Sequence, residues 1–227
     1  MKAVHYYLIV LLVIVLDQVS KMAVYFNMTL NESIPVLGTW FRLHYILNEG
    51  MAFGITLDNE YGKLFLSLFR IIAIAILVYF FRGQIKEKAN KFLLISLALI
   101  IGGAIGNGID SVFYGVLLDN AAPGSISPWL HGQVIDMLYF PLFNGRFPEW
   151  LPMIGGNYFS FFSAIFNLAD SAIFLGAVSI IIFHNRMFAE DNQEETPSSD
   201  PQESKDNTIE STTQEQSGDE NLEEQTA

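Results

Sequence analysis

The sequence predicts a membrane protein of the all-α class, with four transmembrane helices, a small extracytoplasmic β-sheet and a disordered C-terminal tail. Of its 227 residues, 51% are hydrophobic, and the mean hydropathy is +0.34. The apolar residues form four runs long enough for the roughly 20 helical residues that cross a bilayer. Acidic residues are instead concentrated at the C-terminus. We therefore expect a membrane domain over residues 1–188 and a separate tail over residues 189–227.

The net charge of -12 describes the tail rather than the membrane domain. Residues 189–227 contain 13 acidic side chains and one lysine, which leaves 11 acidic and 11 basic side chains in residues 1–188. The tail has few large apolar side chains, so it cannot bury enough surface to offset its ordering entropy. We predict an acidic, disordered cytoplasmic appendage. The chain has no cysteine, which excludes disulfides, thiolate catalysis and lipidation of a cysteine.

The four predicted transmembrane helices cover residues of about 4–25, 64–81, 92–113 and 161–185. The first run follows Lys2 and so resembles a signal peptide. It exceeds the roughly 7–15 apolar residues of that segment, has no small-x-small cleavage site, and contains Asp17 and Lys21 near its end. An uncleaved helix is therefore the better interpretation.

Basic residues in the short loops predict the orientation. The loop over residues 82–91 contains Arg82, Lys86, Lys88 and Lys91, whereas residues 26–63 and 114–160 are poor in bases. This pattern places the 82–91 loop and both termini in the cytoplasm, with the two longer stretches outside. Arg70 falls near the outer end of the second helix, where its side chain can extend to the membrane surface.

The two outer stretches differ in pattern. Residues of about 36–58 include the run WFRLHYIL, whose alternation is compatible with a β-strand, followed by turn-forming Asn48. We expect a small sheet on the outer membrane surface. Residues 114–160 are rich in glycine, proline and aromatic residues, which favours an ordered loop with interfacial anchors such as Trp129 and Trp150.

Polar residues interrupt three of the predicted helices, and each is a candidate functional residue. A charge at the bilayer centre costs roughly 2.5–3.5 kcal/mol on insertion scales. With the orientation above, all of these residues fall in the outer half of the membrane, and Asp136 lies in the outer loop beside them. The set comprises Asp17, Lys21, Asn107, Asp110, Asn167 and Asp170. Single buried polar residues often join helices, but convergence at one depth favours a shared polar site that opens outward.

The spacing of these residues adds a second constraint. Asn107/Asp110 and Asn167/Asp170 both follow the pattern Asn-x-x-Asp, and i,i+3 spacing places two side chains on one helix face. Asp17 and Lys21 are spaced i,i+4, which favours an ion pair with an orienting role.

Two carboxylates around one water can hydrolyse a peptide bond without a metal or a covalent intermediate, because one acts as base while its protonated partner acts as acid. Spacing alone pairs Asp110 with Asp170, since both fall on predicted helices. Other chemistries lack their residues: none of the four histidines has a recognisable Ser-His spacing, HExxH is absent, and the glycine-rich GGAIGNG lies inside a helix. We expect no metal, cofactor or nucleic-acid partner.

Five motifs in order resemble the lipoprotein signal peptidase family, also called signal peptidase II. They are LDQVSK, NEGMAFGI, GGAIGNGID, VIDM and FNLADSAI, and together they cover residues 1–188. The resemblance implies an aspartyl protease of the bacterial inner membrane with four transmembrane helices and an outer β-cradle. Such an enzyme removes the signal peptide from prolipoproteins, cleaving before a diacylglyceryl-modified cysteine. Its partners are these substrates and membrane lipids, and we expect a monomer.

The resemblance also implies roles for individual residues. It makes Asp136 and Asp170 the catalytic pair, in place of the pair that spacing suggests. Residues that bind substrate or shape the site are Asn167, Asn107, Asp110, Asn48, Gly54, Asp17 and Lys21. Two departures concern the site: Ser111 stands where the family usually has arginine, and the stretch from Asp136 to Asn167 is longer than usual.

Two alternatives from other classes stay open at this point. Intramembrane acids also mark ion pathways, so a small proton-coupled or cation-coupled transporter is possible. A membrane scaffold that recruits partners through its acidic tail is the second. A transporter needs polar groups across the whole bilayer, whereas the acids here are confined to the outer half of the predicted helices.

Overall fold

A computed structural model describes residues 2–49, 61–161 and 164–188 of the chain. It contains four long helices, each apolar enough to cross a membrane. Their bounds are Ala3–Asn27 (α1), Gly62–Lys86 (α2), Lys91–Ile109 (α3) and Leu168–Phe188 (α4). Helix α3 continues through a π-helical turn, Asp110–Tyr114, into a last α-helical turn, Gly115–Leu117. These helices and the sheet described next confirm the predicted fold class; the acidic tail lies outside the described residues.

An antiparallel sheet covers one end of the helices. Its strands run in the order β1 (Ser33–Leu37), β2 (Phe41–Asn48), β3 (Val134–Tyr139) and β6 (Ile165–Phe166). A separate hairpin is formed by β4 (Phe143–Arg146) and β5 (Tyr158–Phe161). Strands distant in sequence therefore meet directly above the helix ends.

The structure differs from the predicted boundaries in three places. The fourth helix begins at Leu168 rather than at residue 161, because Ile165–Phe166 pairs with β3 instead. Residues 114–160 are more than a loop, since they supply β3, β4 and one end of β5. The predicted β region over about 36–58 begins earlier, at Ser33, and residues 50–58 of it lie outside the described part of the chain.

Helix α3 lies between α1 and α4, and its glycines permit close contact with both. A Cβ atom at Gly103 would lie 2.3 Å from the carbonyl oxygen of Ala169 on α4. A Cβ atom at Gly106 would lie 2.6 Å from Asp17 Oδ2 on α1. The close backbone approach expected from GGAIGNG is therefore present, and it brings the polar residues of three helices within hydrogen-bonding distance.

An apolar cluster fixes the sheet to the helices. Val24 of α1, Tyr45 of β2 and Tyr114 of the π-helical turn pack with Ile135 and Met137 of β3, and all five are buried. The two β3 residues flank Asp136, so the same packing that holds the strand also places this carboxylate. Burial of large apolar side chains on either side of a polar one fixes the position of the strand.

Candidate active site

The structure brings together nearly all of the predicted site residues at the sheet end of the helices. Hydrogen bonds and ion pairs link Asn48, Asp136, Asp17, Lys21, Asn107, Asp110, Asn167 and Asp170. Gly54, the remaining predicted residue, lies outside the described residues. The convergence expected from sequence is thus a property of the folded chain.

Asn167 lies immediately before α4 and caps it. Its Oδ1 accepts a hydrogen bond from the Asp170 backbone N–H at 2.9 Å, as N-cap asparagines do. The preceding donor of the helix, Ala169 N–H, is satisfied by Asp17 Oδ1 of α1 at 2.9 Å. Asn167 and Asp170 are therefore not two side chains on one helix face, as their spacing suggested, but the two ends of a helix cap.

Lys21 occupies the centre of a buried ion cluster. Its Nζ lies 2.7 Å from Asp17 Oδ2 and 2.7 Å from Asp110 Oδ2, and all three side chains are fully buried. It also donates to Asn107 Oδ1 at 2.8 Å. The predicted ion pair on α1 is present, and the same lysine also forms an ion pair with Asp110. Spacing alone had paired Asp110 with Asp170; the structure places the Asp110 carboxylate against Lys21.

Asp136 lies on β3 and is almost completely buried. Its Oδ1 accepts from Asn167 Nδ2 at 2.7 Å, and its Oδ2 accepts from Asn48 Nδ2 at 2.9 Å. Burial raises the pKa of Asp136 to about 7, and the nearby charge of Asp170 adds to this rise, whereas the two amide donors oppose it. A carboxyl group with this pKa can hold its proton near neutral pH.

Two amide side chains connect Asp136 to Asp170. Asn167 Nδ2, which donates to Asp136, also donates to Asn107 Oδ1 at 3.1 Å. Asn107 Nδ2 in turn donates to Asp170 Oδ1 at 2.7 Å. Because the side-chain amides of Asn167 and Asn107 both donate and accept hydrogen bonds here, the relative placement of the two carboxylates is strongly constrained.

Three further residues support this arrangement and were not predicted as site residues: Gln18, Tyr114 and Arg70. Gln18 donates to Asp110 Oδ1 at 2.9 Å and accepts from Tyr114 Oη at 2.9 Å. Arg70, which was expected to extend to the membrane surface, contacts α3: its Nη1 donates to the Asn107 carbonyl at 3.2 Å and to Ser111 Oγ. The available signal was the spacing of Lys63, Ser67 and Arg70, which places three polar side chains on one face of an apolar helix.

The chemistry of the site is that of carboxyl groups and amides. Within residues 2–49, 61–161 and 164–188, no group of three or more His, Asp or Glu side chains has the geometry to hold a metal ion. One carboxyl group with a raised pKa lies beside a second, hydrogen-bonded carboxylate. This pairing is suited to general acid and base catalysis on a bound water.

The fold and the site together define a membrane protein with several transmembrane helices and a buried cluster of carboxyl and amide side chains at one end. A model of the signal peptidase (SPase) II family matches residues 9–186. The chain therefore belongs to the signal peptidase II family, and it is a membrane protease.

Curated relatives extend over most of the chain. A lipoprotein signal peptidase of Amoebophilus asiaticus is 47% identical over 184 residues, covering 80% of this chain and 78% of that protein. One from Porphyromonas gingivalis is 42% identical over 188 residues, covering 78% of this chain and 81% of that protein. A solved structure described as a bacterial membrane enzyme is 26% identical, with a TM-score of 0.58, and covers 86% of this chain and 95% of that one.

Proposed function

We propose that this protease removes the signal peptide from prolipoproteins whose cysteine carries a diacylglyceryl group, cleaving just before that cysteine. Asp136 and Asp170 activate the attacking water. The observation that carries the proposal is the amide connection between these two carboxyl groups, with Asn167 on Asp136 and Asn107 on Asp170. Asp110, the alternative partner for Asp170, instead forms an ion pair with Lys21.

The two carboxyl groups divide the acid and base roles. Asp136, with a pKa of about 7, holds a proton and donates it to the oxygen of the scissile carbonyl. Asp170 lies in the first turn of α4, where the helix dipole favours a negative charge, and it takes a proton from water. The water oxygen then bonds to the carbonyl carbon and forms a tetrahedral diol.

Collapse of the diol completes the reaction. Asp170 passes its new proton to the leaving nitrogen as the C–N bond breaks, and Asp136 recovers a proton from a diol hydroxyl. The products are a carboxyl group on the signal peptide and a free amine on the lipidated cysteine. The pair returns to its starting protonation state, so no cofactor takes part in the cycle.

Substrate binding in this proposal uses the end of β2. Asn48, the last residue of the strand, contacts Asp136, so a peptide aligned along this part of the sheet would pass the catalytic pair. Strand addition would hold the scissile segment extended, with its lipid chains among the membrane lipids. The proposed role of Gly54 falls in residues 50–60, outside the described part of the chain.

The proposed orientation places the site at the outer face of the bacterial inner membrane. Arg82 and Lys86 lie in the last turns of α2, at the end opposite the sheet, and Lys88 and Lys91 follow them. Because basic residues are retained on the cytoplasmic side, both termini are cytoplasmic in this orientation. We also propose that the enzyme acts as a monomer. The placement of the acidic residues does not favour a transporter. The acids of the four described helices all lie at the sheet end: Asp17, Asp110 and Asp170.

The test is cleavage of a diacylglyceryl-modified precursor and its unmodified form by the purified chain in lipid nanodiscs. We expect cleavage of the modified form and little of the unmodified one. Replacing Asp170 with Asn should lower kcat by about 10²–10⁴-fold, as expected for loss of a general base. Equal cleavage of both precursors would contradict the proposed substrate, and an active Asp170→Asn variant would contradict the proposed mechanism.

A further inference from the structure

One face of α2 carries three polar side chains that all contact neighbouring segments. Lys63 Nζ donates to the Glu49 carbonyl at 2.6 Å, and Ser67 Oγ donates to the Leu130 carbonyl at 2.6 Å. Arg70 follows at the next position on the same face and reaches α3. The opposite face is apolar and exposed, as at Phe65 and Phe69. These contacts fix the rotation of α2 and direct Arg70 toward the site.

Arg70 contacts α3 at the point where the helix changes form. Its Nη1 donates to the Asn107 carbonyl at 3.2 Å and to Ser111 Oγ, and Ser111 Oγ donates to the same carbonyl at 3.1 Å. The π-helical turn begins at Asp110. Such turns disturb the regular backbone ladder and are frequent at functional sites, so the extra donors stabilise this carbonyl where the ladder is irregular.

Asn107 connects this contact to the catalytic pair. Its backbone carbonyl is held by Arg70, while its side-chain amide donates to Asp170 Oδ1 at 2.7 Å. The guanidinium also interacts electrostatically with Asp110, Asp170 and Asp136. Arginine suits this task because it stays charged and offers several donors in a fixed plane.

We propose that Arg70 is a positioning residue of the catalytic site: it holds Asn107 against Asp170 and supplies positive charge to the carboxyl pair. This inference rests on the proposed function for its role in cleavage. Arg70 contacts Ser111, which occupies the position where the family resemblance leads us to expect an arginine. Here the guanidinium arrives from α2 instead.

The test compares Arg70→Gln, Arg70→Lys and the control Arg82→Gln, which removes an exposed arginine from the other end of the same helix. In nanodiscs with the diacylglyceryl-modified precursor, Arg70→Gln should lower kcat roughly 10–100-fold, as expected for a small displacement of a catalytic group, with little change in KM. Arg70→Lys should recover part of this loss because it retains the charge. The Arg82→Gln control should have the same kcat and KM as the wild-type enzyme.

A second readout does not depend on cleavage. Asp136 interacts electrostatically with charged groups from three helices: Lys21 of α1, Arg70 of α2 and Asp170 of α4. Lys21 also forms ion pairs with Asp17 and Asp110. Loss of the Arg70 charge should therefore raise the pKa of Asp136, seen by infrared titration of its protonated carbonyl band against Asp136→Asn. Unchanged kcat and unchanged titration in Arg70→Gln would overturn the inference. Failure of the proposed function would appear separately, because the wild-type enzyme would then not cleave the diacylglyceryl-modified precursor.

Discussion

Asn167 and Asp170 cap each other across the first turn of α4. The Asp170 backbone N–H donates to Asn167 Oδ1 at 2.9 Å, and the Asn167 backbone N–H lies 3.4 Å from Asp170 Oδ2. This reciprocal arrangement is a capping box, in which two donors at the helix start are satisfied together. One proposed catalytic carboxylate is thus also part of the structure that begins its helix.

The dual use of Asn167 predicts that its two roles separate by substitution. Serine caps helices about as well as asparagine but lacks the amide that donates to Asp136. Both Asn167→Ser and Asn167→Ala lose the amide and should lose kcat, but Asn167→Ser keeps the cap and should be ~1 kcal/mol more stable than Asn167→Ala. Thermal unfolding in detergent and cleavage kinetics measure the two effects. Equal stability of both variants would contradict the capping role.

Asn48 predicts a shift in the pH profile. Its amide favours the ionised form of Asp136, so Asn48→Ala should raise the pKa of Asp136 above about 7. Because the acid must be protonated, kcat/KM falls as pH rises through this pKa. The alkaline limb should therefore move to higher pH in Asn48→Ala. It should stay in place in Asn27→Ala, which removes an exposed amide from α1; a shift to lower pH would refute the assignment.

Of the substitutions considered, replacement of Lys21 should cause the largest loss of stability. Its removal leaves the fully buried Asp17 and Asp110 without the ammonium group that both contact directly. Breaking a buried ion pair in this way costs about 3–5 kcal/mol, so Lys21→Met should strongly lower the midpoint of thermal unfolding. Adding Asp110→Asn should restore part of it, because one uncompensated charge disappears. If the double variant is less stable than Lys21→Met, the ion cluster is not the cause.

Gly103 predicts sensitivity to a single methyl group. A Cβ atom there would lie 2.3 Å from the Ala169 carbonyl, two residues from Asn167, so α3 and α4 must separate. Gly103→Ala should cost about 1–3 kcal/mol of stability and also lower activity. Gly83→Ala is the matched control, since nothing lies within 4 Å of its added Cβ. Thermal unfolding and cleavage assays on both variants check this difference.

The features predicted well from sequence were those governed by local pattern. Long apolar runs located the four helices, and alternation in WFRLHYIL anticipated β2. The i,i+4 spacing of Asp17 and Lys21 anticipated their ion pair because one helix turn determines that distance.

Features that depend on distant segments were harder to predict. Asp136 takes its place because β3 pairs with β2, where Ile46 lies opposite it, and no local spacing encodes that register. Spacing therefore favoured Asp110 as the partner of Asp170, and the motif resemblance was needed to select Asp136. Arg70 was missed because reaching the membrane surface and turning toward α3 are equally compatible with its position in the sequence.

The choice between Asp136 and Asp110 is the most direct test of the account. The measurement is kcat of Asp136→Asn and Asp110→Asn on the diacylglyceryl-modified precursor, corrected for the folded fraction of each variant. We predict that Asp136→Asn loses about 10²–10⁴-fold in kcat, because the general acid is gone. Asp110→Asn should keep most of its kcat, because its carboxylate pairs with Lys21. An active Asp136→Asn beside an inactive, folded Asp110→Asn would contradict the proposed pair.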